Sequence, residues 1–215
     1  METYNLTTFE KELWDKGLKY VAGIDEVGRG CLAGPMVVCA VILNKEHILD
    51  LENLDDEHKI YSDIKDSKLL TPKKRLNIRD NIINEVISYS LVEVPHNKID
   101  SHGITQCTKE AFYSSVKKLN VNPHHILTDN FEVPGIAQQS QTNLIRGDNK
   151  SITVAAASII AKVYRDDLMV KLHEESDKYK VYRFDKHKGY GTALHREMIH
   201  KHGRSDIHRK SFKVR

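Results

Sequence analysis

The sequence predicts an α/β domain whose sheet runs in mixed directions, and three observations carry that expectation. Two β-rich runs, residues 20–25 and 36–43, flank a short glycine loop and read as neighbouring antiparallel strands. A short apolar strand, His125-Ile126-Leu127-Thr128, ends on Asp129. Helical patterns separate these strands, and strands followed by helices define a mixed α/β sheet.

In chain order, a short helix is expected over residues 8–16, ahead of the first strand. After the second strand, residues 44–66 are charged and lack periodicity. Thr71-Pro72 then opens a helix, with Pro in the first turn and Leu76, Ile78, Ile82, Ile83, Val86 and Ile87 at helical spacings. Residues 88–94 read as a third strand and 98–119 as a second long helix. A further short strand at Leu144-Ile145 leads to Gly147-Asp148. Ser151 then precedes a long helix with Ile152, Ala156, Ile159, Ile160 and Val163 on its apolar positions. The tail, residues 180–215, is basic, rich in histidine and only partly helical. No internal repeat is visible.

Composition narrows the function classes. The 215 residues are 40% hydrophobic and 29% charged with only 5 prolines, enough apolar material for one ordinary globular core. A formal charge of +3 is too mild to identify a polyanionic partner by itself. Cys31, Cys39 and Cys107 form no C-x-x-C pair and no even-numbered framework, so neither a structural zinc site nor a disulfide scaffold is indicated, and a reducing cytosol is expected. Residues 1–20 carry Glu2, Glu10, Lys11, Glu12, Asp15 and Lys16, unlike a signal peptide, and no apolar run approaches the roughly 20 residues that span a bilayer. A soluble, cytoplasmic, monomeric protein with no membrane association is the expectation.

The chemistry concentrates at residues 23–35, Gly-Ile-Asp-Glu-Val-Gly-Arg-Gly-Cys-Leu-Ala-Gly-Pro. Asp25 and Glu26 offer hard oxygen ligands of the kind Mg²⁺ or Mn²⁺ prefers, and the following glycines let backbone N–H groups approach a phosphate or sugar. Asp129 and Asp148 add two acids at element ends. Paired divalent ions about 3.5–4 Å apart, bridged by carboxylates, suit phosphodiester hydrolysis. Successive strand residues face opposite ways, so Asp25 and Glu26 share a site only where the strand turns away, near Val27-Gly28. Each acid alone also fits a plainer role as a solvated charge, or, for Asp148, as a helix cap. Spacing alone leaves the two readings level.

Several blocks together resemble the type 2 ribonucleases H, and ribonuclease HII in particular. They are Gly-Ile-Asp-Glu-Val-Gly-Arg-Gly at 23–30, Asp-Ser-Lys at 66–68, Gly-Asp-Asn-Lys-Ser at 147–151, Ala-Ala-Ala-Ser-Ile-Ile-Ala-Lys-Val-Tyr-Arg-Asp at 155–166, His-Lys-Gly-Tyr-Gly-Thr at 187–192 and Ile-His-Arg-Lys-Ser-Phe at 207–212. They run in order over nearly the whole chain. The resemblance implies an RNase H-like mixed five-stranded sheet flanked by helices, with a catalytic domain over residues 1–170 and a C-terminal helical extension over 171–215 packed on it. It implies an endonuclease that cuts the RNA strand of RNA/DNA hybrids, and cuts 5′ of ribonucleotides embedded in duplex DNA, leaving 5′-phosphate and 3′-hydroxyl ends. Roles in ribonucleotide removal and primer clearance follow from the same likeness.

Carried over residue by residue, the resemblance makes Asp25, Glu26, Asp129 and Asp148 the ligands of two Mg²⁺ or Mn²⁺ ions. It gives Gly28, Arg29 and Gly30, with Tyr190, to recognition of the RNA–DNA junction. A glycine backbone can reach the 2′-hydroxyl that separates RNA from DNA, and an aromatic ring can stack on the next sugar. Lys68, Lys162 and Arg165 are the cations expected on phosphates. Ser158, Lys162 and Arg165 share one stripe of the long helix at i, i+4, i+7 and are expected to border the cleft. Arg29 paired with a local acid, Tyr190 as a packing residue and the lysines as solvated charges are the plainer alternatives. His208-Arg209 reads as a packing and charge element of the extension.

Two positions depart from the family pattern. The third acidic block commonly reads Val-Asp-Gly but here is Thr128-Asp129-Asn130, so the turn after the carboxylate must be made by Asn, which tolerates positive φ better than most residues. Cys31 stands where proline is frequent and reads as a small buried residue. Two other functions fit part of the pattern: an RNase H-fold nuclease without ribonucleotide selectivity, and a catalytically inactive nucleic-acid-binding module.

Overall fold

A computed structural model describes residues 6–49, 64 and 71–214. Helix α1, Thr8–Asp15, precedes strands β1, Val21–Val27, and β2, Met36–Ile42; a short helix α2, Lys45–Leu49, and α3, Pro72–Glu85, follow. Then come β3, Ser88–Val94, helices α4, His96–His102, and α5, Ile104–Lys117, and strands β4, His125–Asp129, and β5, Gln141–Leu144. The C-terminal part holds α6, Ile152–Glu175, two single turns, α7, Asp177–Lys180, and α8, Phe184–His187, and α9, Ala193–His202.

The sheet order is β3-β2-β1-β4-β5. β1 pairs antiparallel with β2, as the glycine-loop spacing predicts, and β2 antiparallel with β3. β1 and β4, and β4 and β5, are parallel. This is the expected five-stranded mixed sheet. β1 runs two residues further than the sequence suggests, to Val27, because Glu26 and Val27 still pair with Val38 and Val37. The fifth strand sits earlier than Leu144-Ile145: Leu144 ends it, and Ile145 is exposed.

Strand alternation divides the core. Val21 and Val27 of β1 and Val37, Cys39 and Val41 of β2 meet Ile78 and Ile82 of α3 and the buried face of α6. Ala22, Ile24, Met36, Val38 and Ala40 meet Ile99, Ala111, Phe112 and Val116 of α4 and α5 on the other face. α6 approaches unusually closely, since a Cβ on Gly23 would lie 2.1 Å from the Thr153 carbonyl carbon. Ala155, Ala156, Ala157 and Ala161 keep the helix face shallow enough for that approach.

The helix expected over residues 98–119 is two helices. Gly103, at φ +79° and ψ 147°, closes α4 and precedes α5; a glycine at positive φ ends a helix where an apolar pattern alone reads straight through it. α6 runs unbroken to Glu175, past residue 170. From the segments beyond it, Tyr179, Tyr182, Phe184 and Ile207 form a third apolar cluster with Met169 of α6 and Ala33 of the glycine loop. Main-chain bonds tie that cluster to the glycine loop: Leu32 N–H donates to the Gly189 carbonyl (2.8 Å), Gly34 N–H to Ile207 (2.9 Å) and Arg209 N–H to Leu32 (2.8 Å). No helix among the described residues is long and apolar enough to cross a membrane.

Candidate active site

The parallel pair β1 and β4 lies at the centre of the sheet, and both strands carry acid near their C-terminal ends, where α/β sheets place their chemistry. Asp148 joins them from a 3₁₀ turn, Gly147–Asn149, immediately before α6. A cleft of about 410 Å³ opens there, lined by Asp25, Glu26, Asp129, Asp148, Gly28, Arg29, Gly30, Arg75, Ser158, Lys162 and Tyr190. Asp25 and Glu26 thus reach one cleft although they point to opposite sides of β1.

The local turns hold the acids in place. Asp129 accepts the Gly147 N–H at 2.7 Å, which ties the end of β4 to the turn bearing Asp148. Asn130 makes the turn after Asp129 at φ +61°, the left-handed conformation that the missing glycine requires. The cap of α6 is Ser151, whose Oγ accepts the Val154 N–H at 3.2 Å, so Asp148 is not the helix cap.

Crowding of acids inside the protein disfavours their charged forms. Burial pushes the Asp25 carboxyl up to about 7; Asp129 and Asp148 add to the rise, while a hydrogen bond with Ser158 opposes it. Burial also raises Glu26, to about 8, with Asp25 and Asp129 adding repulsion and Arg29 opposing. Glu26 Oε2 is buried, and no hydrogen-bond donor among the described residues reaches it. Among the described residues no three acidic, imidazole or thiol groups gather tightly enough to enclose one ion. The donor set nevertheless fits hard divalent cations: it is all oxygen, it lines one cleft, and positive charge would offset the burial and the added repulsion that raise both carboxyls.

The glycine loop is held from behind by two buried arginines. Arg165 is fully buried and donates from Nε to the Pro35 carbonyl (2.8 Å), from Nη1 to Lys188 (2.9 Å) and from Nη2 to Ala33 (3.2 Å). Three of its donors are thus engaged by carbonyls, and Arg165 is not among the residues that line the cleft. Gly28 must be glycine, since it sits at φ +85° and a Cβ there would lie 2.0 Å from Arg165 Nε. Arg209 donates to Gly28 and Arg29 (2.7 Å each) and to Gly34 (3.0 and 3.1 Å).

Of the other expected nucleic-acid contacts, Lys162 and Tyr190 stand together on the cleft. Lys162 Nζ lies 4.8 Å from the Tyr190 ring centre and 2.8 Å from Asp166 Oδ1. Burial pushes the Tyr190 hydroxyl up to about 12, so it is a neutral donor. Arg29 lies over the Phe131 ring at 4.7 Å. Ser158 is buried, and its hydroxyl engages Asp25. Lys68 lies outside the described residues. Arg75, on the first turn of α3 beyond the Thr71 cap, reaches the cleft without having been singled out in the sequence; its position after Thr71-Pro72 was the available signal.

A mixed five-stranded sheet with carboxylates converging where its parallel and antiparallel halves meet defines a nuclease of the ribonuclease H fold. The sequence model of Ribonuclease HII matches residues 22–215. A Ribonuclease HII from Chlamydia caviae is 44% identical over 207 residues, covering 96% of this chain and 90% of that protein. The ribonuclease H2 of Pyrococcus horikoshii OT3 superposes with a TM-score of 0.71 at 25% identity, over 91% of this chain and 94% of the other. Bst-RNase HIII, solved in complex with Mn²⁺, shares the fold, with a TM-score of 0.66 at 21% identity over 92% of this chain and 68% of that one. The chain belongs to the ribonuclease HII family, metal-dependent endonucleases of RNA/DNA hybrids.

Proposed function

We propose that this enzyme cuts 5′ of ribonucleotides, both in hybrids and singly embedded in duplex DNA, with two divalent ions held by Asp25, Glu26, Asp129 and Asp148. The observation that carries this reading is the meeting in one cleft of four acids with the Gly28–Gly30 loop and Tyr190. Mg²⁺ or Mn²⁺ at these carboxylates would supply charge stabilisation for the attacking and leaving oxygens; the Mn²⁺ complex of Bst-RNase HIII supports the choice of ion.

The chain's own groups select the substrate. The Gly28-Arg29-Gly30 backbone lies open to the cleft and contacts the 2′-hydroxyl of the ribonucleotide, and Tyr190 stacks on the following deoxyribose, where a 2′-hydroxyl would crowd the ring. Lys162, beside Tyr190, and Arg75 bind phosphates of the duplex. Ser158 orients the Asp25 carboxylate. Such an enzyme suits ribonucleotide removal in DNA repair and primer clearance in replication.

Product ends test the reading. Attack by water leaves a 5′-phosphate and a 3′-hydroxyl on either side of a nick placed 5′ of the ribonucleotide. A 2′,3′-cyclic phosphate would instead mean that the 2′-hydroxyl is the nucleophile, and would overturn it.

A further inference from the structure

Three histidines lie buried beneath Tyr190, and their hydrogen bonds can be solved for their protons. His187 and His195 stack with ring centres 4.1 Å apart and planes 15° from parallel. The Phe184 ring packs on His187, His195 and His208 at 5.6–5.8 Å. The Ser205 backbone N–H, which can only donate, points at His208 Nδ1 (2.9 Å), so that nitrogen is bare and Nε2 carries the proton. His208 Nε2 lies 3.0 Å from His195 Nε2, which must therefore accept. His195 Nδ1 then holds its proton and donates it to the Tyr190 carbonyl at 2.9 Å. The other side of Tyr190 is held by the same cluster, because its N–H donates to the His187 carbonyl at 2.8 Å.

The relay also touches the glycine loop. His208 bridges to Ala33 as an isolated antiparallel pair, and its neighbour Arg209 grips the carbonyls of Gly28, Arg29 and Gly34. One dipeptide thus reaches Tyr190 through two imidazoles and the Gly28–Gly30 loop through one guanidinium.

We propose that His195 and His208 are positioning residues for junction selectivity: their fixed and opposite tautomers hold the Tyr190 main chain in register with the Gly28–Gly30 loop. This rests on the reading of Tyr190 and the loop as the junction contacts. A second proton on His195 would set two N–H groups against each other at the 3.0 Å contact, and one on His208 would set Nδ1–H against the Ser205 N–H at 2.9 Å. Burial accordingly draws both rings down to about 4, keeping them neutral at physiological pH.

Long-range ¹H–¹⁵N spectra of histidine-labelled protein at pH 7 read the tautomers without reference to activity. The expected result is His195 protonated on Nδ1 and His208 on Nε2; the reverse assignment, or a cationic ring at either position, overturns the proposal. The second arm compares His195→Asn, whose amide nitrogen can replace Nδ1, with His195→Gln, whose amide replaces Nε2. His195→Gln should lose about tenfold in the ratio of kcat/KM on a single-ribonucleotide duplex to kcat/KM on a long hybrid, the effect of one lost buried hydrogen bond, and His195→Asn should recover most of it. Equal ratios for the parent and His195→Gln would refute the positioning role. A parent that shows no preference for ribonucleotides would instead refute the junction reading while leaving the tautomer assignment standing.

Discussion

Arg209 Nη2 donates to the Gly28 carbonyl at 2.7 Å, across 181 positions of sequence. Its Nη1 holds the Arg29 carbonyl in the same way. In a trans peptide the C=O and the next N–H point in opposite directions, so anchoring these two carbonyls turns the N–H groups of Arg29 and Gly30 away from Arg209. The C-terminal segment thereby sets the donor face of the glycine loop. Burial draws the guanidinium down to about 10, which still leaves it charged at neutral pH.

Replacing Arg209 with Ala would strip hydrogen bonds from three buried carbonyls. A loss of about 3 kcal/mol is expected, together with weaker discrimination between ribonucleotide and deoxyribonucleotide. Thermal melts and paired cleavage assays check this. Arg209→Lys keeps the charge but not the fork, and should restore stability only in part.

Asp25→Asn should nearly abolish cleavage while leaving the fold intact. It should also raise the melting temperature of the metal-free protein at pH 8, where the parent must hold an ionised carboxylate in a buried site. A fall in melting temperature at that pH, in chelator, would contradict the electrostatic account of the cluster.

Metal affinity should climb with pH. Asp25, at about 7, and Glu26, at about 8, hold protons in the metal-free protein that bound cations must displace. Titration calorimetry near pH 6.5 in buffers of differing ionisation enthalpy should show net proton release, fading above pH 8. The same two groups bind more protons folded than unfolded, so their contribution to metal-free stability is lost as pH rises from about 4.5 through about 8.

The buried histidines act in the opposite sense. His195 and His208 titrate near 4 when folded and near 6.5 when unfolded, so the unfolded chain takes up more protons between those values. Their contribution is complete above about 6.5 and is lost as pH falls toward about 4. Comparing acid unfolding of the parent with that of His195→Asn, which cannot titrate, should show a shallower acid limb in the variant.

Glu10 is a structural acid hidden in the N-terminal helix. Its Oε1 accepts from Ser151 Oγ (2.5 Å), Thr153 N (3.1 Å) and Thr153 Oγ1 (2.7 Å), at the start of α6. Burial raises its pKa. Glu10→Ala should cost about 2 kcal/mol by removing this second cap, measured by denaturant unfolding.

The sequence and the structure part company where backbone atoms are the partners. Asp25 and Glu26 were legible because the acids adjoin a glycine loop, and the positive φ of Asn130 because only a few residues make that turn. The antiparallel β1–β2 pair was legible from spacing. Glu10 was not, and Arg165 and Arg209 were singled out without their carbonyl partners, since a buried charge satisfied by carbonyls, hydroxyls or amides leaves no complementary charge to find in the sequence. Gly103 carried its own signal, a glycine inside a helical pattern, but periodicity outweighed it. The histidine relay needs residues from 182 to 208 folded together before any proton can be placed.

The most direct measurement compares three duplexes of one sequence, all DNA, an RNA/DNA hybrid, and DNA with a single ribonucleotide, each incubated with Mg²⁺, Mn²⁺ or chelator. The account predicts cleavage of the hybrid and a nick 5′ of the lone ribonucleotide, both only with metal, and an intact all-DNA duplex. Cleavage of the all-DNA duplex, or cleavage that persists in chelator, would contradict it.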